Sequence, residues 1–526
     1  MRKYLLLFFF FNILLGAVET EKDTLNFQGF IKKVIEKENS SDRNNIYLEL
    51  ISSQDSSSYY IDDFYLVFII EQTHKFLLSD YIGEKFTPEI QIKLENITVN
   101  TKNLKDSKAN YISSMEKIFP DYPNSDASYL YSEINPGNPE ENYYHRYIEV
   151  PISYQNPQKG TFKLYYELCS DFDKSKPTII IPTDGQRSLS QVGWADKYKQ
   201  RFNLKYNTVT YEYRGMYASD IPDINNKALE WETAYEILNS DNVIQDIERI
   251  RKDLLGDEKV FILGGSGTAM IGLKYVAQYP EKIKRAFLMS FFKDAQGSSE
   301  SGVKYFKNFI NENNLNEKYI YALENPKTRP VQLRFLLQRL LYFDKEKAKE
   351  LIVELSEDKF DLYRKYTTML GDVDFFTRSI QKYKPWSVVF MYETNINTTS
   401  YGIYDINHPF YEVANPIRKA FDQEHKSKQH LFNINNLENV NTEILLVGGK
   451  LDQVAPLNQL KIIHKELPNS KLAVFDAYHC LQSSDKSKEI RNKLANLFFE
   501  NGYDSEKIKK YLNSAPAKEK FIKIIE

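Results

Sequence analysis

Only two cysteines, Cys169 and Cys480, occur in 526 residues. That excludes a disulfide scaffold and a zinc site built on cysteine. Excess charge is also missing. Lys and Arg total 69 against 72 Asp and Glu, a net charge of −3. No field of one sign therefore argues for nucleic acid or an anionic membrane. Beyond Leu15 no apolar run is long enough to span a bilayer, which takes about 20 residues. No internal repeat, long low-complexity tract or cofactor motif appears. What remains is a chain with 42% hydrophobic and 27% charged residues, a balance that builds packed cores. Its length predicts about three domains.

The chain opens with the basic Met1-Arg2-Lys3, a short apolar run from Tyr4 to Leu15, small residues at Gly16-Ala17, and then polar Glu19-Thr20-Glu21-Lys22. This is the layout of a secretory signal peptide over residues 1–17, cleaved near Ala17. The alternative is an uncleaved anchor helix, for which the run is short. No cysteine follows the run, which argues against a bacterial lipid anchor. The expected compartment is extracytoplasmic: secreted, periplasmic, or a secretory or lysosomal lumen. In such a compartment Cys169 and Cys480 can pair if the fold brings them together.

Residues 18–145 read as a small β-rich domain. Ile46-Tyr47-Leu48-Glu49-Leu50 and Ile90-Gln91-Ile92-Lys93-Leu94 alternate with period two, and Tyr65-Leu66-Val67-Phe68-Ile69-Ile70 has a buried strand's length. The unit ends in loop compositions around Pro120-Asp121-Tyr122-Pro123 and Asn135-Pro136-Gly137. From residue 146 the texture changes. Strand patterns at 161–168, 178–181 and 260–263 alternate with helical spacing at 241–255, where Val243, Ile244, Ile247, Ile250 and Leu254 recur on one face. That alternation predicts an α/β fold with a parallel sheet. The strand series resumes at 443–447 and 472–475. The helix-rich, charge-rich stretch between is an insertion. The domain plan is thus a core over 146–292, a helical cap over 293–435, and the rest of the core with a C-terminal helical tail over 436–526.

Gly264-Gly265-Ser266-Gly267-Thr268 follows a strand directly and opens a helix. A serine on a sharp strand–turn–helix connection is a nucleophile elbow, which needs small neighbours two positions either side. Here Thr268 stands where glycine is usual, and its Cβ demands some local rearrangement. A nucleophilic serine needs a base, and the base an orienting acid. Asp452, in Gly448-Gly449-Lys450-Leu451-Asp452, follows one strand and His479 follows the next. Of seven histidines only His479 falls after the last core strand, where a base reaches Ser266. The order serine, acid, histidine is the one this architecture uses. The loop Pro182-Thr183-Asp184-Gly185-Gln186-Arg187 follows another strand. Gly185 there and Gly267 after the serine are the candidate oxyanion-hole donors. Arg214, in Tyr211-Glu212-Tyr213-Arg214-Gly215, reads as a tie between loops.

Val150-Pro151-Ile152-Ser153-Tyr154-Gln155-Asn156-Pro157 with Gly160-Thr161 resembles the opening strands of the prolyl iminopeptidase and tripeptidyl aminopeptidase family of α/β-hydrolases. That family shows a Val-Pro-x-x-Tyr-x-Asn-Pro opening, a Gly-rich oxyanion loop, an Asp-x-Arg-Gly loop, a Gly-Gly-Ser elbow, a Gly-x-x-Asp-x-x-x-Pro acid loop and a late histidine. Each has a counterpart here in order, over about residues 147–500. Glu212 replaces the usual Asp, and Thr183-Asp184-Gly185-Gln186-Arg187 replaces the family's His-Gly-Gly-Pro-Gly. The resemblance implies an α/β-hydrolase fold with a helical cap insertion, preceded by the β-rich domain. It also implies an acidic cap residue that binds a substrate's free amine. Glu393, in Phe390-Met391-Tyr392-Glu393-Thr394, sits near that place; the alternative is a solvated cap carboxylate.

Together these readings favour a serine exopeptidase acting on free N-termini of peptides, with no cofactor and no metal. The same machinery serves an esterase or lipase on small esters. A different class, a secreted binding protein with a degenerate hydrolase domain, draws on the altered oxyanion loop and on Thr268.

Overall fold

The computed structural model describes residues 144–525, apart from 187–193, 217–218, 220, 222–229, 294, 342–343, 371–372, 374–376, 378–379, 382–383, 395–401, 407–411, 423–431 and 482–484. Before residue 144 it describes five strands: β1 (Thr24–Asn26), β2 (Gly29–Glu36), β3 (Ile46–Ser52), β4 (Ser58–Asp62) and β5 (Thr98–Asn100). β2, β3 and β4 form an antiparallel sheet, and β1 pairs with β5. The expected signal peptide and the candidate strands at 65–70 and 90–94 lie outside the described residues.

The core sheet uses β6 (His145–Pro151), β7 (Thr161–Leu168), β8 (Thr178–Ile180), β9 (Asn207–Tyr211), β10 (Val260–Gly265), β11 (Ile283–Met289), β12 (Glu443–Gly449), β13 (Ser470–Phe475) and β14 (Phe521–Ile525). Their order is β14-β13-β12-β11-β10-β8-β9-β7-β6. The six strands β8 to β13 run parallel, as the continuous apolar runs predict. The expectation of a parallel sheet needs one correction: β6, β7 and β14 join antiparallel, making the sheet mixed.

Both faces of the central strands are covered, which is why their sequences are apolar without alternation. Ile262, Leu288 and Leu446 enter one core, and Leu263, Phe287 and Leu445 enter the other. In chain order the helices are α1 (Trp194–Phe202), α2 (Trp231–Leu238), α3 (Ser240–Leu255), α4 (Gly267–Gln278), α5 (Ala295–Glu312), α6 (Asn316–Glu324), α7 (Pro330–Leu341), α8 (Lys345–Ser356), α9 (Asp361–Leu370), α10 (Pro385–Thr394), α11 (Asn415–Asp422), α12 (Leu457–Glu466), α13 (Asp485–Asn501), α14 (Glu506–Leu512) and α15 (Ala515–Lys518). α1 and α13 bury Tyr198, Phe202, Leu494 and Phe498 in the second core; α3, α4 and α12 pack on the first.

The insertion is helical, but it is not one body. Residues of α5 to α9 gather a core of their own around Phe306, Leu336 and Leu351. α10 and α11 instead bury Phe390, Tyr392, Ile417 and Phe421 in the sheet's core. All ten residues of α10 are buried, so the helix is enclosed rather than amphipathic.

β8 has β9 on one side and β10 on the other. The connections leaving β8, toward β9, and β10, toward β11, therefore diverge, and a crevice opens between these strands at their carboxyl ends. The loop after β8 and the turn after β10 both face it.

Candidate active site

Ser266 is the hinge between β10 and α4. Its backbone takes φ 59° and ψ −130°, a strained conformation for a residue with a Cβ. The turn is over-determined: Ser266 N–H donates to Met289 O at 2.9 Å, and Ser266 O accepts from Ala269 N–H at 2.9 Å. A Cβ on Gly264 would fall 2.7 Å from Ala269 Cα. It would also lie 2.9 Å from Thr268 O, so the strand meets the helix too closely there for a side chain. Thr268 is accommodated because its hydroxyl donates to Gly265 O and accepts from Gly265 N–H, both at 2.8 Å. The rearrangement expected from a Cβ at that position is absorbed by a side-chain clamp on the turn itself.

Asp452 and His479 stand on the loops after β12 and β13. Asp452 Oδ1 accepts from Val454 N–H at 3.0 Å and Ala455 N–H at 2.9 Å. His479 Nδ1 lies 2.9 Å from Asp452 Oδ2 and 3.1 Å from Oδ1. Both side chains are buried. Burial pulls the His479 pKa down, but the Asp452 charge, with Cys480 adding to it, prevails and holds the imidazole well above its ordinary value. Positive φ recurs next to the site, at Ser290 (48°), Cys480 (51°) and Leu481 (53°). Ser290 Oγ accepts the Cys480 N–H at 2.9 Å, tying the end of β11 to the histidine loop. No short-range pattern in the sequence marks Ser290 for this role.

Ser266 and His479 line one cavity of about 310 Å³, together with Asp184, Gln186, Tyr198, Arg201, Phe202, Cys480 and Arg491. Among the described residues no cluster of His, Cys, Asp or Glu could hold a metal ion.

In the loop after β8, Asp184 and Gln186 reach the cavity, and neither expected donor, Gly185 or Gly267, is among its lining residues. A Cβ on Gly185 would lie 2.4 Å from Phe390 Cβ and 3.0 Å from Trp386 O, so its glycine is required by the approach of α10. Gly267 is the first residue of α4, where the N–H has no partner within the helix. A Cβ there would fall 2.5 Å from Asp184 Oδ2. Asp184 Oδ1 accepts the Gln186 N–H at 2.8 Å. A carboxylate therefore stands beside the residue after the nucleophile.

Glu393 is not among the residues lining the cavity. It is buried, which corrects the alternative of a solvated carboxylate. Both its oxygens accept the Ser240 N–H, at 3.2 and 3.1 Å, and Oε1 accepts the Ser240 hydroxyl at 3.0 Å. It caps the N-terminus of α3, where the helix dipole favours negative charge. Burial nevertheless pushes its pKa up to about 7, against the pull of Lys274.

Arg214 is a tie, as read from the sequence. It is fully buried and grips Asp246 with two bonds of 2.7 Å, while Nη1 donates to Ile152 O and Ile237 O. Tyr154 of the Val-Pro-x-x-Tyr stretch donates to the same Asp246. Cys169 and Cys480 are separate buried thiols.

The profile of the α/β-hydrolase fold matches residues 189–486, more than half of the chain. The chain belongs to the α/β-hydrolase family. No curated protein matches this hydrolase. Solved structures similar to it include a serine hydrolase from Cycloclasticus zankles at 17% identity, covering 69% of this chain and 100% of that one, TM-score 0.36. An α/β-fold hydrolase from Bacillus anthracis is 16% identical over 68% of this chain and 99% of that one, TM-score 0.35. A proline iminopeptidase from Mycobacterium smegmatis is 13% identical over 68% and 98%, TM-score 0.38.

Proposed function

We propose that this α/β-hydrolase is a serine hydrolase that cleaves an ester or amide through an acyl-enzyme on Ser266. One observation carries the reading: a strained elbow serine shares a cavity with a histidine whose other ring nitrogen is held 2.9 Å from a buried carboxylate. Ser266 Oγ attacks the carbonyl carbon as His479 Nε2 takes its proton. The imidazolium is stabilised by Asp452. The oxyanion forms at the start of α4, where the Gly267 N–H and an amide of the 183–186 loop are the donors. His479 returns the proton to the leaving group, and water repeats the sequence to release the acid. This chemistry calls for no cofactor.

Within that class we favour substrates presented by an end, as an exopeptidase takes peptides. Helices crowd the site: α10 rests on Gly185, and the Tyr305 phenol of α5 has its pKa raised by burial and by nearby Asp452. A small-ester hydrolase is the second reading. It is favoured by the placement of Glu393, which holds α3 instead of facing the cavity. We also place the mature protein outside the cytosol, on the pattern of residues 1–17; N-terminal sequencing of native material tests this.

A fluorophosphonate probe tests the class. Covalent labelling of wild type and none of Ser266→Ala is expected. Failure to label wild type would leave the degenerate binding protein, for which the Asp184 carboxylate beside Gly267 is the motivating feature. A panel of free, N-acetylated and acyl-ester chromogenic substrates then separates exopeptidase from esterase.

A further inference from the structure

Arg491 of α13 lines the cavity beside Ser266 and His479, yet the triad has no use for it. It is only 1% exposed. Its Nε and Nη2 donate to Asn492 Oδ1 at 3.0 and 2.9 Å, and Nη1 donates weakly to Cys480 O at 3.3 Å. Its guanidinium lies over the Phe202 ring, 4.3 Å from the centroid. None of these partners carries a negative charge. Two other buried guanidiniums do have counter-ions: Arg214 pairs with Asp246 and Arg251 with Glu248. Among the described residues no carboxylate forms an ion pair with Arg491. Asp184, the carboxylate of the same cavity, instead turns one oxygen to the Gln186 N–H.

A buried cation without a counter-ion is costly. Here the cost registers in the group itself: burial, with nearby Arg201 adding to it, pulls the Arg491 pKa down to about 10. Arg201, in the last turn of α1, lines the same cavity, so two cationic groups face one space. A guanidinium offers a planar fork that suits a carboxylate. A cavity of about 310 Å³ lies within the size range of small-ligand sites.

We propose that Arg491 binds a carboxylate carried by the substrate, so that the enzyme selects esters or amides of acidic compounds. This rests on the reading of Ser266 as nucleophile. The carboxylate has two possible sources, a dicarboxylic half-ester or an acidic amino-acid residue. Two matched pairs distinguish them: 4-nitrophenyl hydrogen adipate against 4-nitrophenyl hexanoate, and α-glutamyl against glutaminyl 4-nitroanilide. In wild type the anionic member of one pair is expected to have the higher kcat/KM, by about 10- to 100-fold, the worth of a charged hydrogen bond. That ratio collapses toward one in Arg491→Gln and is partly kept in Arg491→Lys. A wild-type ratio near one in both pairs, or an unchanged ratio in Arg491→Gln, overturns the proposal; a purely structural Arg491 lowers both members together.

A second measurement needs no variant. Adipate, titrated against the full wild-type chain by calorimetry, should bind, and neutral adipamide should not. Equal or absent binding overturns the anion site. Binding without fluorophosphonate labelling sinks the nucleophile assignment alone, and labelling without binding sinks Arg491 alone.

Discussion

At the scale of single residues the site is a set of backbone positions forced to hold particular side chains. Ser266 sits at positive φ because its turn is fastened on both sides, and it lines the cavity with His479. Ser266→Ala removes the proposed attacking atom and leaves those fastenings. We expect turnover to fall by roughly 10⁴ to 10⁶ with the melting temperature unchanged. Comparable turnover in the two proteins would refute the assignment. His479 supplies a second prediction. Only neutral imidazole accepts the serine proton, and Asp452 favours the charged form. The acid limb of kcat/KM should therefore have its midpoint above the ordinary histidine value of about 6.5. Activity rises as pH passes through that midpoint. Asp452→Asn should lower the rate and move the midpoint down; a midpoint at or below 6.5 in wild type would show that the carboxylate does not govern the base.

Elements meet through two buried carboxylates with opposite circumstances. Asp246, on α3, is matched by Arg214 and so joins α3 to the β9 loop and to Tyr154 after β6. Truncation as Arg214→Ala leaves Asp246 buried without its cation, with only the Tyr154 hydroxyl as a side-chain partner. It should cost about 3–5 kcal/mol in urea unfolding, as for other broken buried pairs. A loss under 1 kcal/mol would mean that water or another group replaces the guanidinium. Glu393, on α10, caps α3 but has its pKa raised from 4.5 to about 7 by burial. The folded protein thus binds its proton more tightly than the unfolded chain. Its contribution to stability is fully present below about 4.5 and is lost as pH rises through about 7. Glu393→Gln, which keeps the shape without the titration, should flatten the decline in melting temperature across that window. If wild type and variant decline in parallel, another group is responsible.

At the scale of the whole molecule the helical insertion divides between two cores. α5 to α9 have their own core, whereas α10 and α11 are built into the main one. The floor of the cap is accordingly as fixed as the sheet. Under the proposed reading substrates enter by an end, so a folded protein substrate should resist cleavage while short peptides or esters turn over. Digestion of a denatured and a native protein, read by mass spectrometry, checks this; internal cuts in either would argue against an enclosing cap.

Much of the site was legible because its signals are local. A Gly-Gly-Ser turn must follow a strand and open a helix, and both neighbours announce themselves in the same dozen residues. Asp452 and His479 were legible from chain order, since only seven histidines exist and six lie in the wrong places. The continuous apolar strands likewise declared a sheet covered on both faces. What tertiary structure alone decided were contacts between residues far apart in sequence. Glu393 meets Ser240 across 153 positions, and the pattern around either residue says nothing of the other. The same holds for Gly185 under Phe390, for Asp184 beside Gly267, and for Arg491 over Phe202. Local sequence sets backbone conformation through sterics and hydrogen bonds a few residues long. Whether a buried charge finds a partner depends on how separate elements close on one another, and that is settled only when the chain has folded.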